Sequence, residues 1–145
     1  MGEPPAEIDL TLPALGIRQP WVELILRGIK TVEVRAVPTN VRGTIYLYAS
    51  RTPGDGEVVE RAMEMHDVEV EGLPRGVLVG TAELIDCRLC SAADAAAACV
   101  PTGVLRGKYG WVLANPQRLK EPVSPRFLPY GIWFYPFVRR NGAER

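Results

Sequence analysis

The sequence predicts a single mainly β (α+β) domain: a small barrel of about five to six strands with short flanking helices. Three observations carry this expectation. The chain has 145 residues, a common size for one compact core. Apolar residues make up 47% and charged residues 23%, as in folded globular proteins rather than disordered ones. Short runs rich in Val, Ile, Leu and aromatic residues recur between Gly- and Pro-containing turns, and strands of that length commonly curl into a barrel that disposes of their edges.

Residues 1–12 are Pro-rich, acidic and without period, and are expected to form a loosely ordered arm before a domain spanning 13–138. From Gln19 to Gly28, Pro20 stands near a helix start, Gly28 just past its end, and Trp21, Leu24 and Ile25 share one face. That predicts a short helix with one buried side. Thr31 to Ala36 alternates, Val32 and Val34 against Thr31, Glu33 and Arg35, which is the period of a half-buried strand.

Thr44 to Ser50 reads as a second strand entered through Arg42-Gly43, and Asp55 to Asp67 as an exposed acidic helix held down by Val58, Val59, Ala62 and Met65. Gly76 to Leu89 is a long apolar strand in which Gly80 marks a bend or a close backbone approach. Ser91, with Asp94 three residues on, caps a short helix through the alanine run Ala95 to Ala98. Lys108 to Leu113 and Gly131 to Tyr135 supply two further strands on either side of a Pro-broken stretch from Asn115 to Pro129. Residues 139–145 are expected to be a basic tail.

Apolar runs fall short of the roughly 18 residues of a membrane span, and Met1 to Glu7 lacks the order of a signal peptide. A cytoplasmic monomer off the membrane is therefore expected. Cys87, Cys90 and Cys99 are an odd number in a chain too large to need disulfide staples. Cys87 and Cys90 form a C-x-x-C, which Cys99 and His66 would complete to four zinc ligands. The second half of a zinc pattern is missing, however, so no metal and no cofactor is expected. His66, within the acidic helix, reads as a surface residue.

The formal net charge is zero, but the charges form blocks. Arg18 to Arg51 carries six Lys/Arg against two Asp/Glu, Thr52 to Leu73 one against seven, and Val104 to Arg145 eight against two. If the fold joins the two basic blocks, a local positive face can follow phosphates despite the neutral total. Scattered, solvated charge is the alternative.

Lys30, at the junction of the first helix and the first strand, and Glu33 and Arg35, on that strand's polar face, place two cations and a carboxylate within a few residues. Arg can grip phosphate or a base edge with its fork, Lys can act as a mobile point charge, and Glu can accept from an amino group. The same three residues can equally form an ordinary surface ion pair. Tyr46, Tyr48 and Ser50, alternate residues of the next strand, offer a stacking surface and a hydroxyl or else point their rings into the core. Trp21, Trp111 and Trp133 are expected in the core, Trp21 least firmly because it adjoins Arg18 and Gln19.

Gly28-Ile29-Lys30-Thr31-Val32-Glu33-Val34-Arg35 fits the G-x-K-x-x-E-x-R signature of the ASCH domain, a relative of the PUA-like barrels. Ile17-Arg18-Gln19-Pro20-Trp21 resembles the family's opening segment, and Arg42-Gly43, Gly80-Thr81-Ala82-Glu83-Leu84 and Tyr109-Gly110-Trp111 are similar to its later parts. The resemblance spans roughly Leu15 to Tyr135. It implies a PUA-like barrel that binds single-stranded RNA or a nucleotide-like ligand through Lys30, Glu33 and Arg35, with Arg18, Gln19, Tyr48, Ser50 and Arg51 as outer candidates. Arg139 and Arg140 are further phosphate candidates.

Some members of that family hydrolyse acetylated cytidine and some cut RNA, so amidohydrolase and ribonuclease activities stand as alternatives, with Lys30 and Glu33 as the catalytic candidates. In the amidohydrolase members the lysine activates a threonine three residues later; here that position is Glu33. Thr31 and Ser50 are substitute hydroxyls, Tyr48 a proton-shuttle candidate and Glu83 a later acid. An adaptor that uses the same surface for protein contacts is a third class.

Overall fold

The computed structural model describes residues 8–138. The first seven residues of the expected arm, the expected tail at 139–145 and the Arg139-Arg140 pair lie outside these. Six strands form one curled sheet, a half-barrel in the order β2-β5-β4-β3-β1-β6. They are β1 (Ala14–Ile17), β2 (Val32–Arg35), β3 (Gly43–Ala49), β4 (Val77–Leu89), β5 (Tyr109–Val123) and β6 (Trp133–Phe134). Helix α1 (Trp21–Leu26) follows β1, α2 (Glu57–His66) follows β3, and α3 (Ala95–Ala98) follows β4. The mainly β fold with short helices is the one expected. Among the described residues no helix is long and apolar enough to cross a membrane.

The alternation of β3 builds two cores. Ile45, Leu47 and Ala49 join Val22 and Ile25 of α1, with Leu15, Ile17, Val79 and Trp111. Tyr46 and Tyr48 point to the other face, where Ala14, Leu78 and Phe134 bury them and the Tyr48 ring meets Phe134 edge-on at 5.3 Å. With Tyr46 1% and Tyr48 3% exposed, the rings are core rather than a stacking platform. Ile8 and Leu12 pack against this second core, and the Tyr46 hydroxyl donates to the Asp9 carbonyl at 2.9 Å.

Several boundaries differ from the sequence expectation. Ala14–Ile17 is a strand that runs parallel to β3, a pairing with no local signal. β5 continues through Pro116 to Val123 instead of stopping at Leu113. Pro116 is tolerated because the register with β4 slips there: Glu83 faces Ala114, whereas Thr81 faces Gln117. The one extra residue on β5 forms a bulge in which a missing N–H costs no ladder bond, and Asn115 takes a left-handed φ of 51°. Of the strand expected from Gly131 to Tyr135 only Trp133–Phe134 pairs, against Leu15 and Ala14. Met65 of α2 is 59% exposed rather than packed down, while Val59 and Ala62 are buried as the helical period predicts.

Gly80 does meet a close backbone. A Cβ there would lie 2.5 Å from the Gln117 carbonyl oxygen and 2.5 Å from a Leu26 methyl. α1 can therefore press against the sheet only over a residue without a side chain. The helix is tied further by Glu23, whose two carboxylate oxygens accept Arg118 Nη1 and Nη2 at 3.0 Å each and whose Oε2 also accepts Arg27 Nε at 2.8 Å.

Candidate functional site

Gly28, at φ 79°, ends α1 as a left-handed residue and turns the chain back under the helix. The Leu24 carbonyl accepts both Ile29 N–H at 3.0 Å and Lys30 N–H at 3.1 Å. That turn sends the Lys30 side chain inward, where it is 3% exposed. Its Nζ donates to the Ala98 carbonyl at the end of α3 at 2.6 Å, lies 3.8 Å from Glu33 Oε1 and sits 4.9 Å from the centre of the Trp21 ring. Burial pulls the ammonium below its ordinary pKa, and the Glu33 carboxylate opposes that shift. The charge expected to be mobile is thus held in place.

Glu33 lies between two cations. Oε1 faces Lys30, and Oε2 accepts Arg35 Nε at 2.9 Å. Both ion pairs form, but the carboxylate is buried at 8% exposure rather than on the surface, and the strand's presumed polar face is largely covered. Arg35 then reaches the Gly16 carbonyl with Nη2 at 2.8 Å, and its guanidinium lies 5.5 Å from the centre of Trp111. Trp111 in turn stacks on Trp133, ring centres 5.7 Å apart. Its Nε1 donates to the Val37 carbonyl at 3.0 Å, so Trp111 is fixed core.

Lys30, Glu33 and Arg35 converge on one cavity of about 360 Å³, shared with Trp21, Lys108 and an apolar wall that includes Val58, Val100 and Val104. Strand pairing explains the meeting: Arg35 is opposite Tyr109, so Lys108, one residue earlier, comes beside the motif. The first and third charge blocks therefore share a cavity. No hydroxyl or thiol side chain lines it among the described residues.

The outer candidates are not brought to this cavity. Gln19 is fully buried, its Nε2 donating to the Pro74 carbonyl at 3.0 Å and its Oε1 accepting Glu23 N–H at 3.1 Å, which makes it an anchor for α1. Arg18 is exposed, Ser50 half-buried beside Gly16, and Arg51 exposed with its stem against Gly76. Tyr48 belongs to the second core. Thr31 points to solvent, and Glu83, half-buried on β4, accepts Asn115 Nδ2 at 3.1 Å. His66 ends α2 half-buried, and among the described residues no three His, Cys, Asp or Glu side chains gather as a metal ion would need.

Three contributors carried little sequence signal. Trp21 reads as a helix core residue, yet it is half-buried and forms a wall. Val58 reads as a packing residue of the acidic helix. Lys108 reads only as the start of a strand, and the antiparallel pairing of β2 with β5 was the missing information.

A model of the ASCH domain matches residues 15–123. Over 80 residues the chain is 40% identical to Activating signal cointegrator 1 of Homo sapiens, and equally to that of Mus musculus; the match takes in 50% of this chain and 14% of the relative. The chain thus spans a small part of the length of these relatives. Among solved structures, an ASCH protein from Zymomonas mobilis superposes with a TM-score of 0.59 over 94% of this chain and 93% of its own, at 16% identity. A point mutant of that protein gives a TM-score of 0.58 at 16% identity, covering 94% of each chain. At that identity the likeness is one of fold.

Proposed function

This chain belongs to the ASCH domain family, and from that premise we propose that it binds single-stranded RNA or a nucleotide-like ligand in the cavity built by Lys30, Glu33 and Arg35. The observation that carries the reading is the convergence of those three residues with Lys108 and the Trp21 ring on a cavity with an apolar wall. A few fixed polar groups orient a ligand there while apolar surface takes up its ring. Arg35 has already used Nε and Nη2, which leaves Nη1 to face a phosphate or a base edge. The Lys30 ammonium has donors beyond the one given to Ala98.

A hydrolytic reading has one observation in its favour: a buried amine next to a carboxylate, with burial favouring its neutral form. With no hydroxyl or thiol on the wall, such a reaction would use water as its nucleophile, with Glu33 or Lys30 accepting its proton. Incubation with short single-stranded RNA and with acetylated cytidine, read for retention and products by mass spectrometry, separates the two. Salt-sensitive retention without product, weakened in Lys30→Ala, is the expected result. Product that disappears in Lys30→Ala would replace binding by hydrolysis, and retention indifferent to salt and to nucleic-acid competitors would point to a protein partner.

A further inference from the structure

The charges lining the cavity do not balance. Lys30, Arg35 and Lys108 are three cations, and Glu33 is the one carboxylate among the lining residues. Glu33 already serves two of the cations, one per oxygen. The Lys108 ammonium makes no hydrogen bond or ion pair among the described residues, although its backbone is pinned: Lys108 N–H donates to the Leu105 carbonyl at 3.0 Å and the Lys108 carbonyl accepts Cys90 N–H at 2.9 Å. The half-buried Lys108 thus presents an ammonium without a hydrogen-bond or ion-pair partner among the described residues, on the same cavity as a guanidinium that has one nitrogen to spare.

Excess positive charge in a partly desolvated cavity is offset best by an anion of matching charge. An internal phosphodiester carries a single negative charge. A phosphomonoester carries about −1.5 to −2 at neutral pH and offers three acceptor oxygens. A volume of about 360 Å³ lies at the small end for ligand sites and suits one nucleotide rather than a run of them.

We propose that the cavity takes the phosphorylated end of an RNA strand, or a nucleoside monophosphate, with Lys108 and Arg35 Nη1 on the terminal phosphate and the nucleoside against Trp21 and the valines. The inference rests on the nucleotide-binding reading and makes Lys108 the residue that distinguishes a terminal phosphate from an internal one.

The test uses short RNAs of one sequence with a 5′-phosphate, a 3′-phosphate or hydroxyl ends, together with a nucleoside, its monophosphates and inorganic phosphate, titrated calorimetrically. One phosphorylated end, and the corresponding monophosphate, is expected to bind on the order of tenfold or more tighter than its hydroxyl counterpart, as one charge-assisted hydrogen bond would give. The preference should vanish in Lys108→Ala and survive in Lys108→Arg. Acidification through about pH 6, where the phosphate takes up its second proton, should weaken it. Equal binding of phosphorylated and hydroxyl ends would overturn the terminal-phosphate inference and leave RNA binding standing. So would a preference that persists in Lys108→Ala, or inorganic phosphate binding as tightly as the monophosphates. Failure of every RNA and nucleotide to bind would overturn the underlying reading as well.

Discussion

Arg35 spans the open seam of the sheet to Gly16: Nη2 donates to the Gly16 carbonyl at 2.8 Å although β2 and β1 are not hydrogen-bonded neighbours. The same guanidinium donates to Glu33 and lies over Trp111. One side chain therefore ties together the strand of the motif, β1 next to the opposite edge of the half-barrel and the core between them.

Arg35→Lys is accordingly not a conservative change, because an ammonium lacks the fork that reaches Glu33 and Gly16 together. A loss of about 1.5–3 kcal/mol is expected, the range for hydrogen bonds to charged groups. Urea denaturation of the two proteins measures it. Unchanged stability would mean that packing alone holds the seam.

Glu23 predicts a pH dependence. Burial by itself would raise its pKa, but the hydrogen bonds from Arg118 and then Arg27 outweigh that and hold the carboxyl below its ordinary 4.5. On acidification the unfolded chain therefore takes up the proton first. The contribution is complete above about pH 4.5 and is lost as pH falls through the lower folded value. Glu23→Gln is expected to be less stable near neutrality and to lose stability less steeply below about pH 5. Parallel acid limbs in the two proteins would contradict this linkage.

At Gly80 the expectation is steric. The added methyl of Gly80→Ala would collide with the Gln117 carbonyl as well as with Leu26, and backbone cannot rotate away as a side chain can. Destabilisation of about 1–3 kcal/mol follows, the usual range for overpacking. Thermal unfolding that matches the parent protein would show that α1 can shift at no cost.

Trp21 supplies an optical test of where the ligand sits. Of the three tryptophans only Trp21 lines the cavity, while Trp111 and Trp133 stack on each other. Added nucleotide is expected to change the intrinsic fluorescence in the parent protein and not in Trp21→Phe. A response that persists in the variant would place the ligand elsewhere.

The fold was largely legible because its signals are local. Val32 and Val34 alternate as a strand, Leu24 and Ile25 share the buried face of α1, and Ser91 with Asp94 caps the short 3₁₀ turn Ala92–Asp94 that leads into the alanine helix, the Ser91 N–H donating to Asp94 Oδ2 at 2.8 Å. The parts that were not legible depend on pairing between distant segments. Pro116 reads as a break until the slip against β4 absorbs it. The strand Ala14–Ile17 is short and gains its identity from β3.

The candidate site divides along the same line. The sequence by itself determined the trio Lys30, Glu33 and Arg35, because their spacing and the Gly28 turn are properties of one short segment. Tertiary structure alone decided that Lys30 is fixed on a carbonyl 68 residues away, that Lys108 joins the cavity, that Gln19 is an anchor and that Tyr48 is core. The physical reason is that alternation defines two faces of a strand but not their destinations when both are apolar. Which charges meet is likewise set by strand register and by the curl of the sheet, which are properties of the whole chain.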